Sequence, residues 1–211
     1  MVSVAFAQKT FEGTISYSYK MTGENADQMQ AFIPEGMDLT VSKKGMIVEM
    51  KGGMMQAMMG KILTTKKGAF MIKDSEQTIY EMDISEEETK DAAPESVEKQ
   101  DETEQIMGYT CQKYKTVSSN GDLGKQVTYI WATEEFEFPE IKNVKGVQSV
   151  DVKGVPGVAL KTMSTVMGVT VILEAVEINE EKPDKNLFKL PKSYDRKKFD
   201  PEAMGAGMWK I

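Results

Sequence analysis

The segment FEGTISYSYKM, residues 11–21, decides how this chain folds. Its odd-numbered positions hold apolar side chains or glycine, and its even-numbered positions hold polar or charged side chains. A period of two over this length predicts a β-strand with one buried face and one solvated face. Because such strands are typical of antiparallel sheets, the segment predicts a mainly β protein.

Further strand patterns continue outward from this segment. Lys43-Lys44-Gly45 separates two alternating runs, 37–42 and 46–51, and predicts a hairpin turn. The other runs lie at 61–65, 68–73, 77–84, 104–107, 109–117, 125–132, 158–163 and 169–178. With about nine to eleven strands, the sheet must curl to protect its edges and its apolar face. We therefore expect a sandwich, a closed barrel or a half-barrel.

Two short helices are predicted between the strands. Residues 25–33 begin at the candidate N-cap Asn25 and take helical spacing up to Pro34, which stops the helix. Glycines bracket the stretch 54–59, whose four methionines have the i, i+4 spacing that favours a helical turn over a strand. In a half-barrel, both helices are candidates to fill the concave side.

Negative charge is concentrated in one segment. Residues 85–105 hold nine acids and two bases, a net charge of −7 that equals the net charge of the whole 211-residue chain. With Pro94 and no aromatic residue, this segment is typical of a solvated loop or linker. The remaining chain has no basic excess for phosphates, so nucleic acid is not an expected partner. No apolar run approaches the ~20 residues of a transmembrane helix.

The first residues indicate the compartment. Residues 1–7 place Ala5 and Ala7 in the small-x-small pattern that ends a secretory signal. We expect 1–7 to be the remnant of such a signal, 8–211 to form a single domain, and the protein to be exported to the periplasm or elsewhere in a Gram-negative envelope. The alternative is an unstructured cytosolic N-terminus. Cys111, the only cysteine, cannot form an internal disulfide and is expected to be buried as a small apolar residue.

Histidine is absent from the chain, which removes the commonest general base and the commonest metal ligand. A serine triad of the usual kind is therefore unavailable, and the lone cysteine has no histidine to activate it. Neither a P-loop nor a dinucleotide fingerprint is present. The densest carboxylates, Glu134, Glu135, Glu137 and Glu140, are expected in a solvated loop and not as a glycosidase pair. We predict a protein without catalytic residues, cofactor or enzymatic activity.

Methionine is abundant: the chain contains 17, and six of them fall within residues 46–59. Flexible thioether side chains make an adaptable apolar surface, which suits a cavity for a lipid or another apolar small molecule. The predicted lining consists of Phe32, Met46, Met50, Met54, Met55, Met58, Met59, Phe70, Tyr129 and Trp131. Three alternatives remain open. The same side chains form a dry core, the thioethers bind Cu(I) in an exported buffering protein, or the protein is a scaffold that holds another envelope protein.

Three motifs carry a resemblance to a known family: EGTISY at 12–17, IMGYTCQKY at 106–114 and LFKLPKSY at 187–194. With the methionine-rich hairpin, they resemble the DUF4412 family of exported bacterial proteins, common in Bacteroidetes, over nearly the whole chain after the signal. That family is similar to the LolA/LolB-like periplasmic carriers, in which a curved antiparallel sheet wraps around helices and encloses a lipid-sized cavity. The resemblance implies a half-barrel with short helices on its concave side and a lipid-binding role, and it assigns no catalytic residues.

Overall fold

The computed structural model of the chain describes residues 9–24, 26, 33–82, 94–119, 124–139, 150, 152–166 and 168–200. Its strands are β1 (Lys9–Thr10), β2 (Gly13–Gly23), β3 (Gly36–Ser42), β4 (Gly45–Lys51), β5 (Lys61–Thr65), β6 (Gly68–Lys73), β7 (Thr78–Met82), β8 (Ser96–Ile106), β9 (Tyr109–Ser119), β10 (Lys125–Thr133), β11 (Phe136–Glu137), β12 (Val158–Val166), β13 (Val169–Asn179) and β14 (Asp195–Lys198). The helix α1 (Gly53–Met59) follows β4, and a 3-10 turn (Asp74–Glu76) follows β6.

Twelve strands form one sheet in the order β14-β7-β6-β5-β4-β3-β2-β13-β12-β10-β9-β8. Neighbouring strands are antiparallel except β14 and β7, which run parallel. The sheet is curved and does not close on itself, so β14 and β8 are its two edges within the described residues. The short strands β1 and β11 form a separate parallel pair. The predicted mainly β fold with a curved antiparallel half-barrel is therefore confirmed.

Most of the predicted elements are found in the structure. The hairpins β3–β4 and β12–β13 lie where the alternating runs predicted them, and the methionine-rich stretch after β4 forms the predicted short helix, α1. The helix predicted at 25–33, including Phe32, lies outside the described residues except at 26 and 33. The predicted signal remnant, 1–7, also lies outside them. In the ranges that the structure describes, no helix is long and apolar enough to cross a bilayer.

The register divides the side chains of the sheet between two faces, because cross-strand partners point to the same side. Ile15 lies opposite Leu39 of β3, which in turn lies opposite Val48 of β4. These three side chains belong to the main apolar core, and we name their side of the sheet the inner face. Thr14 and Thr40 point to the other side, the outer face, where their hydroxyl oxygens lie 3.0 Å apart.

The C-terminal segment covers the outer face of β4 to β7. Side chains of these strands form a second apolar cluster with residues that follow β13; its members are Ile47, Leu63, Phe70, Ile72, Ile79 and Phe188, with Leu190 and Tyr194 packed against them. The chain then adds β14 beside β7. This half of the sheet is thus covered on both faces, and consequently β6 is a continuous apolar run instead of an alternating one.

The acidic segment corrects one prediction. Residues 85–105 were predicted to be a solvated loop or linker, but from Ser96 onward they form the edge strand β8. Residues 85–93 lie outside the described residues. Lysines of neighbouring strands neutralise the carboxylates of this region in the ion pairs Lys113–Glu102 (2.7 Å), Lys161–Glu104 (2.8 Å) and Lys125–Glu95 (3.1 Å). The acidic side chains of this segment would repel each other in isolation. In the folded protein the segment can form a strand because lysines of the adjacent sheet surface offset these charges.

Cys111 is completely buried in β9, as predicted. Burial raises the pKa of its thiol to about 12, and the nearby carboxylates of Glu104 and Glu135 act in the same direction. The thiol is therefore protonated at neutral pH and serves as a small apolar side chain in the core.

Candidate functional site

The regions at the two ends of β2 differ in composition. At the end where β2 begins, the rings of Phe11 and Tyr109 both contact Phe136, with ring centroids 5.0 and 5.1 Å apart. Such tilted and edge-on contacts hold aromatic rings in defined positions. We name this the aromatic end. At the opposite end, where β2 and β4 finish, Met21 and Met50 lie on the inner face near α1, and we name it the methionine end.

Burial decreases along the inner face of β2 toward the methionine end. Ile15 is 0% exposed and Tyr17 is 2% exposed, whereas Tyr19 and Met21 are only half-buried. On the adjacent strand β13, Leu173 opposite Tyr19 is buried, Val171 opposite Met21 is half-buried, and Val169 opposite Gly23 is buried again. The inner face is thus completely packed near its centre and looser around Tyr19, Met21 and Val171.

Tyr17 closes the floor below this looser region. Its hydroxyl donates a buried hydrogen bond of 2.9 Å to the carbonyl oxygen of Ala159, which links β2 to β12. Burial raises the pKa of Tyr17 well above its ordinary value, so the phenol stays neutral and keeps its proton for this bond. A ligand entering from the methionine end would therefore meet a fixed floor at Tyr17.

A cleft of about 120 Å³ opens above this floor. Its walls are Tyr19 and Met21 of β2 together with Ile33, Pro34 and Glu35, the residues that precede β3. Burial also raises the pKa of Tyr19, as expected for a phenol with apolar neighbours. Among these five residues Glu35 is the one ionised group, so the cleft is apolar with a single acidic side chain.

The start of α1 packs against the cleft wall. Gly52 and Gly53 have φ values of 71° and 66°, which glycine adopts readily and other residues do not. A Cβ atom on Gly53 would lie 2.9 Å from the carbonyl oxygen of Ile33, so only glycine allows this close approach. The backbone N–H of Gly52 donates to Oε1 of Gln56 at 3.0 Å, which closes the first turn of α1.

The structure brings only part of the predicted lining to this end. On the inner face of β4, Met50 lies toward the methionine end, whereas Met46 lies opposite Val41 and thus level with Gly13, at the end where β2 begins. In α1 Met59 is buried, Met55 and Met58 are half-buried and Met54 is 51% exposed. The described lining of the cleft contains none of these methionines. Sequence reasoning missed Tyr19, Met21 and Ile33 as site residues. The signal for Tyr19 and Met21 was present, because the alternation of the first strand places both on the same face as Ile15.

Phe70, Tyr129 and Trp131 do not belong to this lining, which corrects the prediction. Phe70 lies opposite Leu63 in the second cluster, on the outer face. Tyr129 and Trp131 lie opposite Met163 and Lys161 of β12, which the register places on the outer side of the sheet. Trp131 is buried in the main core cluster and Tyr129 packs against it, but neither lines the cleft. Alternation along one strand groups residues onto a common face, but only the pairing shows which face that is.

Trp131 instead takes part in a charged cluster on the outer face. The Nζ atoms of Lys113 and Lys161 lie 5.2 and 5.0 Å from its ring centroid, within the range of cation–π contacts. Lys113 also lies 4.9 Å from the ring centroid of Tyr129. Since both lysines form ion pairs with carboxylates of β8, this cluster attaches the edge strand to the sheet.

The methionines of β4 are poorly placed for a shared copper ion. Met46 and Met50 are four residues apart on one strand, which separates their Cα atoms by about 14 Å at roughly 3.4 Å per residue. Two sulfur atoms bound to one ion must lie much closer together. Among the described residues, no cluster of three or more cysteines and carboxylates could hold a metal ion.

A second cleft, of about 170 Å³, lies on the outer-face side of α1. It is polar, and its charged groups are already paired: Nζ of Lys61 lies 2.8 Å from the Asp74 carboxylate, which also accepts a hydrogen bond of 2.9 Å from the Tyr194 hydroxyl. The hydrogen bond from Lys61 is the main reason that the pKa of Asp74 is lowered. This cleft differs in chemistry from the apolar cleft at the methionine end.

The carboxylates considered for a glycosidase pair are solvent-exposed at the aromatic end. Glu134 accepts a hydrogen bond of 3.4 Å from the Tyr114 hydroxyl, and Glu135 accepts one of 3.2 Å from the backbone N–H of Thr110. Glu137 is also exposed, and Glu140 lies outside the described residues.

The sequence belongs to the family described as "Domain of unknown function (DUF4412)", whose match covers residues 11–194. Among solved structures, PNGF-II is similar at a TM-score of 0.51 and 16% identity over 91% of this chain. The match covers 32% of PNGF-II, so this chain spans about a third of that protein. The likeness concerns the fold alone.

Two mycobacterial proteins, the lipoprotein LppX and LprF, show weaker structural similarity. LppX from Mycobacterium tuberculosis has a TM-score of 0.39 and 12% identity, with 82% of this chain and 89% of LppX covered. LprF from Mycobacterium bovis has a TM-score of 0.40 and 9% identity, with 87% of this chain and 90% of LprF covered. No curated protein sequence matches the chain significantly.

Proposed function

We propose that the protein binds a lipid or another apolar ligand, without catalysis, at the methionine end of its inner face. One observation carries this proposal. Along a single strand, the inner face changes from completely buried at Ile15 and Tyr17 to half-buried at Tyr19 and Met21, and it ends in an apolar cleft. Half-exposed apolar side chains above a packed floor are what a binding site for an apolar molecule requires.

The size of the cleft implies that its walls move when a ligand binds. Pockets for small molecules usually have volumes of about 300–1,000 Å³, whereas this cleft measures about 120 Å³. Methionine side chains have several rotatable bonds and repack easily, so Met21 and the methionines of α1 can enlarge the space. The helix α1 is also only seven residues long, so little free energy is needed to displace it.

The chemistry of the cleft supports binding over catalysis. Its described walls contain one carboxylate, Glu35, and one phenol, Tyr19, and no cysteine, serine or lysine. A nucleophile beside a general base, or two carboxylates facing each other, is the usual basis of hydrolytic catalysis. Histidine does not occur in the chain.

We further propose that the protein acts in the periplasm or elsewhere in a Gram-negative envelope, with 8–211 as a single domain. The pattern of Ala5 and Ala7 at the end of a secretory signal supports this location. A compartment outside the cytoplasm is also where an apolar molecule needs a carrier between membranes.

Fluorescence titration with the neutral apolar probe N-phenyl-1-naphthylamine tests the proposed binding. Met21→Gln places a polar amide in the cleft wall, and we expect it to weaken probe binding about tenfold because apolar contact is lost. The matched control is Met107→Gln, which changes an exposed methionine in the turn between β8 and β9, at the aromatic end. Equal effects of the two substitutions, or no probe binding to the wild type, would contradict the proposal.

Native mass spectrometry of protein purified from its own envelope separates the remaining alternatives. A co-purifying apolar molecule supports the carrier role. A bare mass together with absent probe binding favours the envelope scaffold instead. Retention of added Cu(I) that is lost when Met54, Met55, Met58 and Met59 are replaced by leucine favours copper buffering.

A further inference from the structure

We infer that the cleft selects an amphiphile whose head group carries a positive charge, and that Glu35 determines this selectivity. The inference rests on the proposed function, because it names the chemical class of ligand for the same cleft. Glu35 is the one ionised group among the described residues that line this otherwise apolar space. Its position, its surroundings and the charge of the neighbouring sequence all point to the same ligand chemistry.

The backbone of Glu35 is held firmly between two strands. Its N–H donates to the carbonyl oxygen of Lys51 at 2.8 Å, and its own carbonyl oxygen accepts from the N–H of Tyr19 at 3.0 Å. These bonds tie the residue to the last position of β4 and to β2, directly at the cleft. The starting point of the Glu35 side chain is therefore fixed by the sheet.

Gly52 then leaves the space that the Glu35 side chain occupies. A Cβ atom at position 52 would lie 2.7 Å from both Cγ and Cδ of Glu35 and 3.0 Å from its Oε2 atom. These distances are too short for any residue larger than glycine unless the side chain of Glu35 moves away. The carboxylate thus lies beside the start of α1, and Glu35 is solvent-exposed at the rim of the cleft.

No base neutralises this carboxylate within the described part of the chain. Lys51, its backbone partner, forms an ion pair of 2.7 Å with Asp38 on the outer face. Lys20 also points outward and lies 3.8 Å from Glu174. Moreover, residues 21–42 contain four acids and neither lysine nor arginine, so the connection between β2 and β3 adds only negative charge.

The electrostatic consequence concerns ligands that carry a charge at one end. Glu35 is solvent-exposed, so water partly screens its attraction for a cationic head group, but the apolar wall beside it makes that attraction stronger than in open water. An anionic head group, such as the carboxylate of a fatty acid, would lose hydration and would be repelled by the negative charge of Glu35. We expect about a tenfold preference for the cationic ligand, decreasing in 1 M salt, where the screening length falls to about 3 Å.

Competition titration measures this preference. Decyltrimethylammonium and decanoate, which share a ten-carbon chain, would each displace N-phenyl-1-naphthylamine from the protein below their micelle concentrations. The expected result is an apparent affinity about tenfold higher for decyltrimethylammonium. Glu35→Gln keeps the shape of the side chain without its charge, so we expect it to abolish the preference.

The control variant is Glu49→Gln, which removes a carboxylate near the same end of β4 on the outer face. It should leave the preference intact. If both amphiphiles compete equally in the wild type, or if the preference survives in Glu35→Gln, the inference is wrong while apolar binding stands. If neither the probe nor any amphiphile binds the wild type, the proposed function itself fails.

Discussion

The aromatic end and the methionine end lie at opposite ends of β2, and they are built from different side chains. At the aromatic end, rings of three different chain segments contact each other in fixed orientations around Phe136. At the methionine end, flexible side chains are half-buried around a cleft. Rigid rings favour a permanent seal, and thioethers favour a surface that adapts. We therefore associate stability with the aromatic end and the proposed ligand binding with the methionine end.

The largest expected effect is on stability at the packed centre. Leu39→Ala removes a completely buried side chain, and we expect the free energy of unfolding to fall by about 3 kcal/mol because a cavity remains. Met21→Ala at the methionine end should lower it by less than about 1 kcal/mol, since that site is already partly open. Urea denaturation of both variants measures the difference. Similar losses would mean that the two regions are equally packed.

The rate of thiol labelling compares how accessible the aromatic end and the methionine end are. Cys111 lies near the aromatic end, is completely buried and has a pKa raised to about 12 by that burial. In a Met21→Cys variant, the introduced thiol lies at the half-buried methionine end. At pH 8 we expect it to react with iodoacetamide about a hundredfold faster than Cys111, because thiolate is the reactive form. Comparable rates at both sites would show that the aromatic end opens readily.

The smallest expected effect is a pH dependence at the aromatic end. Glu180 pairs with Lys9 and accepts a hydrogen bond of 2.8 Å from the Tyr109 hydroxyl. The contact with Lys9 and then that with Tyr109 lower the pKa of Glu180 in the folded protein. A lowered carboxyl pKa adds stability above the ordinary value of 4.5, and this stability is lost as the pH falls through the folded-state value.

Glu180→Gln should therefore reduce the loss of stability between pH 7 and pH 3. Because the side chain is 40% exposed, solvent screening limits the expected difference to about 0.5 kcal/mol. Urea denaturation at the two pH values, at low salt and in 1 M NaCl, measures it. The difference between variant and wild type should shrink at high salt, and identical acid sensitivity at low salt would rule out this role of Glu180.

Local patterns in the sequence predicted the elements that depend on neighbouring residues. The alternation at 11–21 predicted β2 and placed Ile15, Tyr17 and Tyr19 on one face, as observed. The glycines around 54–59 and the spacing of the methionines predicted α1. In each case the determining forces act between residues close in sequence, so one segment contains the necessary information.

Features that depend on distant partners could not be predicted in this way. The strand β8 looked like a loop because its acids repel each other locally, while the lysines that pair with them come from β9, β10 and β12. The outward direction of Tyr129 and Trp131 depends on a register carried through β12 and β13. The same holds for the cleft, because Glu35 and Met21 come together only after β2 and β3 have paired.

The pairing of β2 with β13 has a consequence for how the protein reaches its folded state. The centre of the sheet joins a strand near the N-terminus to one that begins at Val169, so this pairing must close a loop of most of the chain. Long loop closure is slow, and proteins dominated by such contacts reach their native state late. A growing chain cannot complete its central strand pair until Asn179 has been synthesised, and until then β2 lacks its neighbour on one side.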